Sequence, residues 1–189
     1  MMRLKEYTES IFTISNILTA DECQEQIAFA EQRGFEIATI EARDGPRLDT
    51  EVRNNDRVIV DDIARAVHLW ERVAPFIPSN MQGRQVVGLN ERIRYYRYNI
   101  GQQFDWHYDG FFRRDNGEQS HFTFMIYLND GYAGGTTQFE ELEVKGKRGM
   151  ALVFEHEQLH RGAEVTRGMK YVLRSDVMYG PLRQRKTRF

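Results

Sequence analysis

Apolar residues are spaced in two different ways along this chain. Early on they recur at helical intervals. Ile27, Phe29 and Ala30 follow the capping-box sequence Thr19-Ala20-Asp21-Glu22, and Gly34 stops the run, which predicts a helix over about residues 20–33. A second helix starts at Asp61 or Asp62. It carries Ile63, Val67, Leu69, Trp70 and Val73 on one broad face and ends before Pro75. Residues 35–41 between them read as a strand, and residues 42–56 as a polar loop. From residue 90 the spacing shortens to β segments at 93–100, 104–108, 122–128, 136–139, 150–154, 163–166 and 171–178. Asn129-Asp130-Gly131, Gly134-Gly135, Gly146 and Gly149 punctuate them.

Helices first and some seven strands afterwards describe an α+β chain that is mainly β. The expected architecture is a sandwich or barrel buttressed by N-terminal helices. There is no repeat and no low-complexity stretch, so residues 1–189 read as a single domain. Within it, residues 1–89 form a helix-and-strand support region, 90–178 a β core with the site, and 179–189 a basic tail. Residues 183–188 of that tail are expected to be a frayed, solvated end.

Composition narrows the functional classes. A hydrophobic fraction of 41% and a net charge of −2 give no bulk field for nucleic acid or an anionic membrane, and neither partner is expected. The one cysteine, Cys23, cannot close an internal disulfide, which fits a reducing compartment; the expected location is cytoplasmic. Arg3, Lys5, Glu6 and Glu9 interrupt the first ten residues, so no secretory leader is read there. No run reaches the ~18 apolar residues of a membrane-spanning helix.

The chemistry concentrates at His107-Tyr108-Asp109. Residues two apart on a strand share a face, so this imidazole and this carboxylate can converge on one ion. One more neutral nitrogen donor would complete a two-His-one-carboxylate face, the arrangement of non-haem Fe(II) sites with open positions. His160 and His156 both follow the 150–154 segment and compete for that role. His160 is favoured because it stands ten residues before Lys170, a cation able to hold the far end of an anionic co-substrate. Asp105 shares the predicted strand face of His107 and competes with Asp109, or else orients a ligand from behind. His68 is expected on a helix surface and His121 at a strand edge. The aromatic residues from Tyr95 to Phe112 read mostly as barrel core. Alternation places Arg94, Tyr96 and Tyr98 on one face, toward a pocket, with Tyr95 and Arg97 on the other. Residues 111–120 follow the metal motif directly and are read as a lid, on which Arg113 and Arg114 would favour an acidic peptide.

The ordered blocks together resemble the Fe(II)- and 2-oxoglutarate-dependent dioxygenases of the prolyl 4-hydroxylase type. They are Arg97-Tyr98-Asn99-Ile100-Gly101-Gln102, His107-Tyr108-Asp109, Thr123-Phe124-Met125-Ile126-Tyr127-Leu128-Asn129, Gly134-Gly135-Thr136-Thr137-Gln138-Phe139, His160-Arg161-Gly162 and Gly168-Met169-Lys170. The resemblance implies a double-stranded β-helix (jelly-roll or cupin-like) core and Fe(II) held by His107, Asp109 and His160. It implies 2-oxoglutarate as co-substrate, with Lys170 on its distal carboxylate and Tyr98 beside it; ascorbate is a further candidate cofactor. It also implies release of succinate and CO2 as an aliphatic C–H bond is hydroxylated, on a prolyl residue of a protein or peptide. A free amino acid or small metabolite is the alternative substrate. The competing classes are a non-catalytic metal- or ligand-binding β-helix module and a cupin-type metalloenzyme that does not use 2-oxoglutarate. Thr136 departs from the polar or acidic residue usual after the glycine pair, which would alter the pocket. Arg174 is either a second cation near the co-substrate or an outward strand residue.

Overall fold

The computed structural model describes residues 1–42 and 45–182. The chain opens with a hairpin, β1 (Arg3–Thr8) and β2 (Ile11–Ser15), then the helix α1 (Ala20–Arg33). Short strands β3 (Glu36–Ile37), β4 (Ile40–Ala42) and β5 (Gly45–Arg47) precede β6 (Asp56–Asp61) and the second helix α2 (Ile63–Val73). After β7 (Asn80–Met81) and β8 (Arg84–Leu89) come β9 (Arg92–Tyr98), β10 (Phe104–His107) and β11 (Gln119–Tyr127). The last strands are β12 (Ala133–Gly134), β13 (Thr137–Phe139), β14 (Glu143–Val144), β15 (Ala151–Glu155), β16 (His160–Gly162), β17 (Val165–Arg167) and β18 (Lys170–Tyr179).

Helix α1 starts and stops as its sequence dictates. Thr19 Oγ1 accepts from the Glu22 backbone, the Glu22 carboxylate accepts from Thr19 N at 2.8 Å, and Gly34 ends the helix at φ 79°. Asp62 caps α2, accepting from Arg65 N at 2.9 Å. Its buried stripe is narrower than expected. Ala66, Leu69 and Val73 face the core with Trp70 half-buried, whereas Ile63 and Val67 sit to one side, 72% and 50% exposed.

Strands β1, β2, β15, β11, β18, β9, β6 and β3 lie side by side in one large antiparallel sheet, with β8 also pairing to β18. A smaller sheet, β10-β16-β13-β14, covers one face of it. This two-sheet, mainly β arrangement is the double-stranded β-helix core. The large sheet draws on both sides of residue 90, since β2 pairs with β15 and β6 with β9. Residues before 90 therefore contribute strands as well as helices. The polar, edge-lying β1 carries no apolar signal to read, and part of the expected 42–56 loop pairs as β5. Residues 183–188 lie outside the described residues.

The sheet is buried on both sides, which explains why residues 122–128 show no alternation. Phe122, Phe124 and Ile126 pack toward the helices with Leu69, Val73, Leu173 and Val177. Tyr127, pointing the other way, joins Tyr96, Tyr98, Leu152, Phe154 and Val172 beneath the small sheet. The seam is tight at Gly149 (φ 75°). A Cβ there would stand 2.1 Å from the Leu18 carbonyl oxygen, and the Gly149 carbonyl accepts from Ile17 N at 2.8 Å. Between the two sheets lies the site.

Candidate metal centre

His107 and His160 are direct partners across the antiparallel pair β10–β16, so the register of the small sheet sets their spacing. Their rings stand 4.2 Å apart. Asp109 arrives differently from what strand alternation suggests, because β10 pairing ends at His107 and Asp109 sits in the irregular segment beyond. Its carboxylate still reaches both rings: Oδ1 is 3.7 Å from His107 Nε2 and Oδ2 is 3.6 Å from His160 Nε2. All three donor atoms lie within 4.8 Å of one another.

The far sides of the rings are fixed. His107 Nδ1 donates to the Asp105 carbonyl at 2.7 Å, and His160 Nδ1 to the Gln158 carbonyl at 2.9 Å, which leaves each Nε2 lone pair facing the centre. Asp105 thus orients a ligand as expected of a second-layer residue, through its backbone oxygen, and is not itself a donor of the cluster. Phe104 stacks on the His107 ring at 3.6 Å, and Phe154 meets His160 edge-on at 4.5 Å. Burial, then the neighbouring His160, lowers His107 to about 4, and burial lowers His160 as well. Both rings are neutral at pH 7. Burial alone would raise Asp109, but Arg174, the two imidazoles and Thr123 hold it well below the usual carboxylate range. Two neutral nitrogens and one carboxylate, converging with open space beside them, fit a divalent metal of the Fe(II) type.

His156 is not a ligand. Both its nitrogens are engaged in a one-way chain of hydrogen bonds. Ser120 Oγ donates to His156 Nε2 (2.9 Å), His156 Nδ1 to Thr123 Oγ1 (3.1 Å), and Thr123 Oγ1 to Asp109 Oδ2 (2.5 Å). Phe112 N in turn donates to Ser120 Oγ at 2.8 Å, tying the 111–118 hairpin to the Asp109 carboxylate. His121 lies on β11 against the Tyr179 ring, and His68 is exposed on α2.

A narrow chamber runs inward from the three donors, lined by Tyr98, Met125, Thr137, Phe154 and Lys170 among others. Lys170 is 2% exposed, and its one hydrogen bond among the described residues goes to the Gly135 carbonyl at 2.7 Å. Burial depresses its ammonium to about 7. A lone cation at the closed end of a chamber fits the distal carboxylate of a dicarboxylate such as 2-oxoglutarate. Tyr98 pairs with Lys170 across β9–β18, its ring 5.0 Å from Nζ. Sequence reasoning missed the Tyr127 hydroxyl and Thr137 Oγ1, bonded at 2.7 Å; both side chains lie between the sheets, and Thr137 lines the chamber. Thr136 faces away, bonding Glu143, and leaves the chamber unaltered.

Arg174 resolves the other way from an outward strand residue. It is largely enclosed, its side chain 13% exposed, and Nη2 donates to Asp109 Oδ1 (3.1 Å), Thr123 Oγ1 and Asp176 Oδ1 (both 3.3 Å). It lies four residues from Lys170 along β18, roughly 13 Å away at strand rise, so the two cations serve opposite ends of the site. The expected face of β9 also holds. Arg94, Tyr96 and Tyr98 line cavities at the site, whereas Tyr95 bonds Gln26 and Arg97 bonds Asp56 and Glu31. In the 111–118 hairpin, Arg114 is neutralised by Glu91 and Glu118, and Arg113 is bound to Gln119. Arg114 therefore offers no free charge to an acidic peptide, whereas Arg113, exposed and bonded only to a neutral amide, keeps its own.

Known proteins sharpen this geometry. Residues 93–175 match the family model of the 2OG-Fe(II) oxygenase superfamily, a span that contains His107, Asp109, His160, Tyr98 and Lys170. Over this span the chain resembles the 2OG-Fe(II) oxygenase superfamily. Among curated relatives, prolyl 4-hydroxylase 5 of Arabidopsis thaliana is 27% identical, over 82% of this chain and 64% of that protein. The chain spans just under two thirds of the length of such plant relatives. Among solved structures, the viral collagen prolyl hydroxylase of Paramecium bursaria Chlorella virus-1, in its 2OG complex, superposes with a TM-score of 0.67 at 22% identity. That match covers 90% of this chain and 96% of the viral chain. A Trichoplax adhaerens prolyl hydroxylase bound to a hypoxia inducible factor peptide fragment gives 0.65 at 16% identity, over 90% and 84% of the two chains.

Proposed function

We propose that this oxygenase hydroxylates an aliphatic C–H bond, using Fe(II) and 2-oxoglutarate, on a prolyl residue of a protein or peptide. The observation that carries the reading is one chamber with the His107–Asp109–His160 donor set at its mouth and the buried, otherwise uncompensated Lys170 at its closed end. Metal and co-substrate together would supply the oxidising power, with 2-oxoglutarate leaving as succinate and CO2. The chain's own residues do the rest. Lys170 anchors the dicarboxylate by charge, with Tyr98 beside it, while Phe104 and Phe154 fix the imidazoles and keep water from the inner chamber. A wider cleft of about 550 Å³ opens on the other side of His107 and Asp109, rimmed by the exposed Tyr108 and Phe111. That room suits a peptide segment, and the relatives and solved neighbours named as prolyl hydroxylases support a peptidyl proline. A cytoplasmic location belongs to the same reading, supported by the free, buried Cys23.

The test is succinate production by purified protein supplied with Fe(II), 2-oxoglutarate, ascorbate and O2, with His107→Ala as control. Turnover in the wild type that the variant lacks is expected. Absence of turnover, with no 2-oxoglutarate-dependent change in the spectrum of the metal-loaded protein, would point to a binding module instead.

A further inference from the structure

The outer cleft carries more positive charge than its own residues neutralise. Arg53, Arg57, Arg94 and Arg174 line it together with His107, Tyr108 and Asp109. Two of these arginines are spoken for: Arg94 pairs with Asp176 at 3.1 Å, and Arg174 with Asp109 and Asp176. The other two meet no carboxylate among the described residues. Arg57 donates only to Thr39, at 3.1 Å to Oγ1 and 3.5 Å to the carbonyl, and burial together with Arg53, Arg94 and Arg92 lowers its pKa. Like charges crowd it.

Arg53 is the sharper case. It is 5% exposed, and its guanidinium lies over the Phe104 ring at 4.3 Å and the Tyr96 ring at 4.7 Å. Nε donates to Asn55 Oδ1 at 2.8 Å, but the buried Nη2 has no partner among the described residues. An orphaned, buried, charged donor is costly, and beside an open cleft a bound anion is one partner able to satisfy it. Two ring faces and Asn55 already fix the guanidinium plane, so a carboxylate meeting it would lose little further freedom. Phe104 contacts both Arg53 and His107, so the orphaned donor stands one ring away from a metal ligand.

The geometry points to a carboxylate-binding subsite formed by Arg53 and Arg57, which selects primary substrates carrying an acid beside the C–H bond to be hydroxylated. The inference rests on the oxygenase reading for its reaction but not for its binding. It is distinct from the 2-oxoglutarate chamber, which lies inward of the three donors and has its own cation, Lys170. Two sources share this chemistry: an Asp or Glu side chain next to a peptidyl proline, and the free α-carboxylate of an amino acid.

The experiment is calorimetric titration of the protein loaded with Mn(II) and 2-oxoglutarate under anaerobic conditions. One arm uses end-blocked pentapeptides with Glu or Gln immediately before or after a single proline. The other compares L-proline with L-prolinamide. In one arm the acid should bind roughly tenfold or more tightly than its amide, the scale of a charge-assisted hydrogen bond, and the arm that responds identifies the source. Arg57→Gln should bring acid and amide to within about twofold, while Arg57→Lys, which keeps the charge, retains part of the preference. A melting curve for each variant checks that the fold is intact. Equal binding of acid and amide in both arms, no binding of either, or a preference that survives Arg57→Gln intact overturns the subsite. Succinate formation is followed separately. Acid preference without turnover leaves the subsite standing and removes the hydroxylase reading; turnover without acid preference does the reverse.

Discussion

Lys170 illustrates how much one side chain can decide. In the unfolded chain its ammonium titrates near 10.5, and in the fold near 7, so between those values the unfolded state holds more protons. The stability of the protein without co-substrate should therefore rise from about pH 7 to about pH 10, and Lys170→Met should flatten the rise in a series of melting curves. The dicarboxylate needs the charged form. Its affinity should fall by up to about tenfold per pH unit above about 7, because binding must then take up a proton. Lys170→Ala should raise the 2-oxoglutarate KM roughly 10- to 100-fold while sparing metal affinity; an unchanged KM would take the role from this residue. Thr123→Val removes the donor to Asp109 and disconnects His156. Iron affinity should drop roughly 10- to 100-fold by competitive chelation, the usual weight of a group that orients a ligand, with the fold retained. Legibility at this scale followed chemistry. The ligands, Lys170 and Tyr98 could be named because a donor set and a lone cation have few other uses. Thr137, Tyr127 and Arg53 could not, since a hydroxyl or a guanidinium in the sequence does not say whether its strand turns it inward.

At the level of elements, apolar rhythm located the pieces but not their edges. Both helices begin where their caps stand, because capping is local chemistry. Strand β16, three residues long, was invisible even though it carries His160, since its definition comes from pairing with β10 and β13. Asp109 shows the converse: it reaches the donor cluster, but not by strand alternation, because strand pairing stops at His107 and the following segment delivers the carboxylate. Loops also shape the chamber. A Cβ on Gly146 would meet Tyr127 Cδ1 at 2.3 Å and Tyr132 Oη at 2.6 Å. Gly146→Ala should therefore push the Tyr127 ring off Thr137, destabilise the fold by about 1–3 kcal/mol, and raise the 2-oxoglutarate KM more than it weakens metal binding. Denaturant melts with chelation and kinetic assays on the same variant separate these effects; a change in stability alone would detach Tyr127 from the chamber.

For the whole molecule, the large sheet recruits strands from residue 3 to residue 179, so the helical N-terminal region and the site-bearing region share one hydrogen-bonded layer. A chain read from its patterns alone divides near residue 90, because that is where helical spacing gives way to β spacing. The pairing of β2 with β15 and of β6 with β9 depends on contacts far apart in sequence, which no local pattern records. The face-to-face placement of His107 and His160 has a mechanical meaning as well. An ion gripping both would act as a removable cross-link across some 53 residues of chain, closing a loop worth roughly 4 kcal/mol in unfolded-state entropy. Saturating Mn(II) or Zn(II) should raise the melting temperature by on the order of 10 °C, EDTA should reverse it, and His160→Ala should abolish the shift. An equal shift in that variant would mean the metal binds elsewhere. With it in place, the small sheet would be riveted at the His107–His160 pair of β10 and β16, so the form loaded with metal would also be the form hardest to unfold.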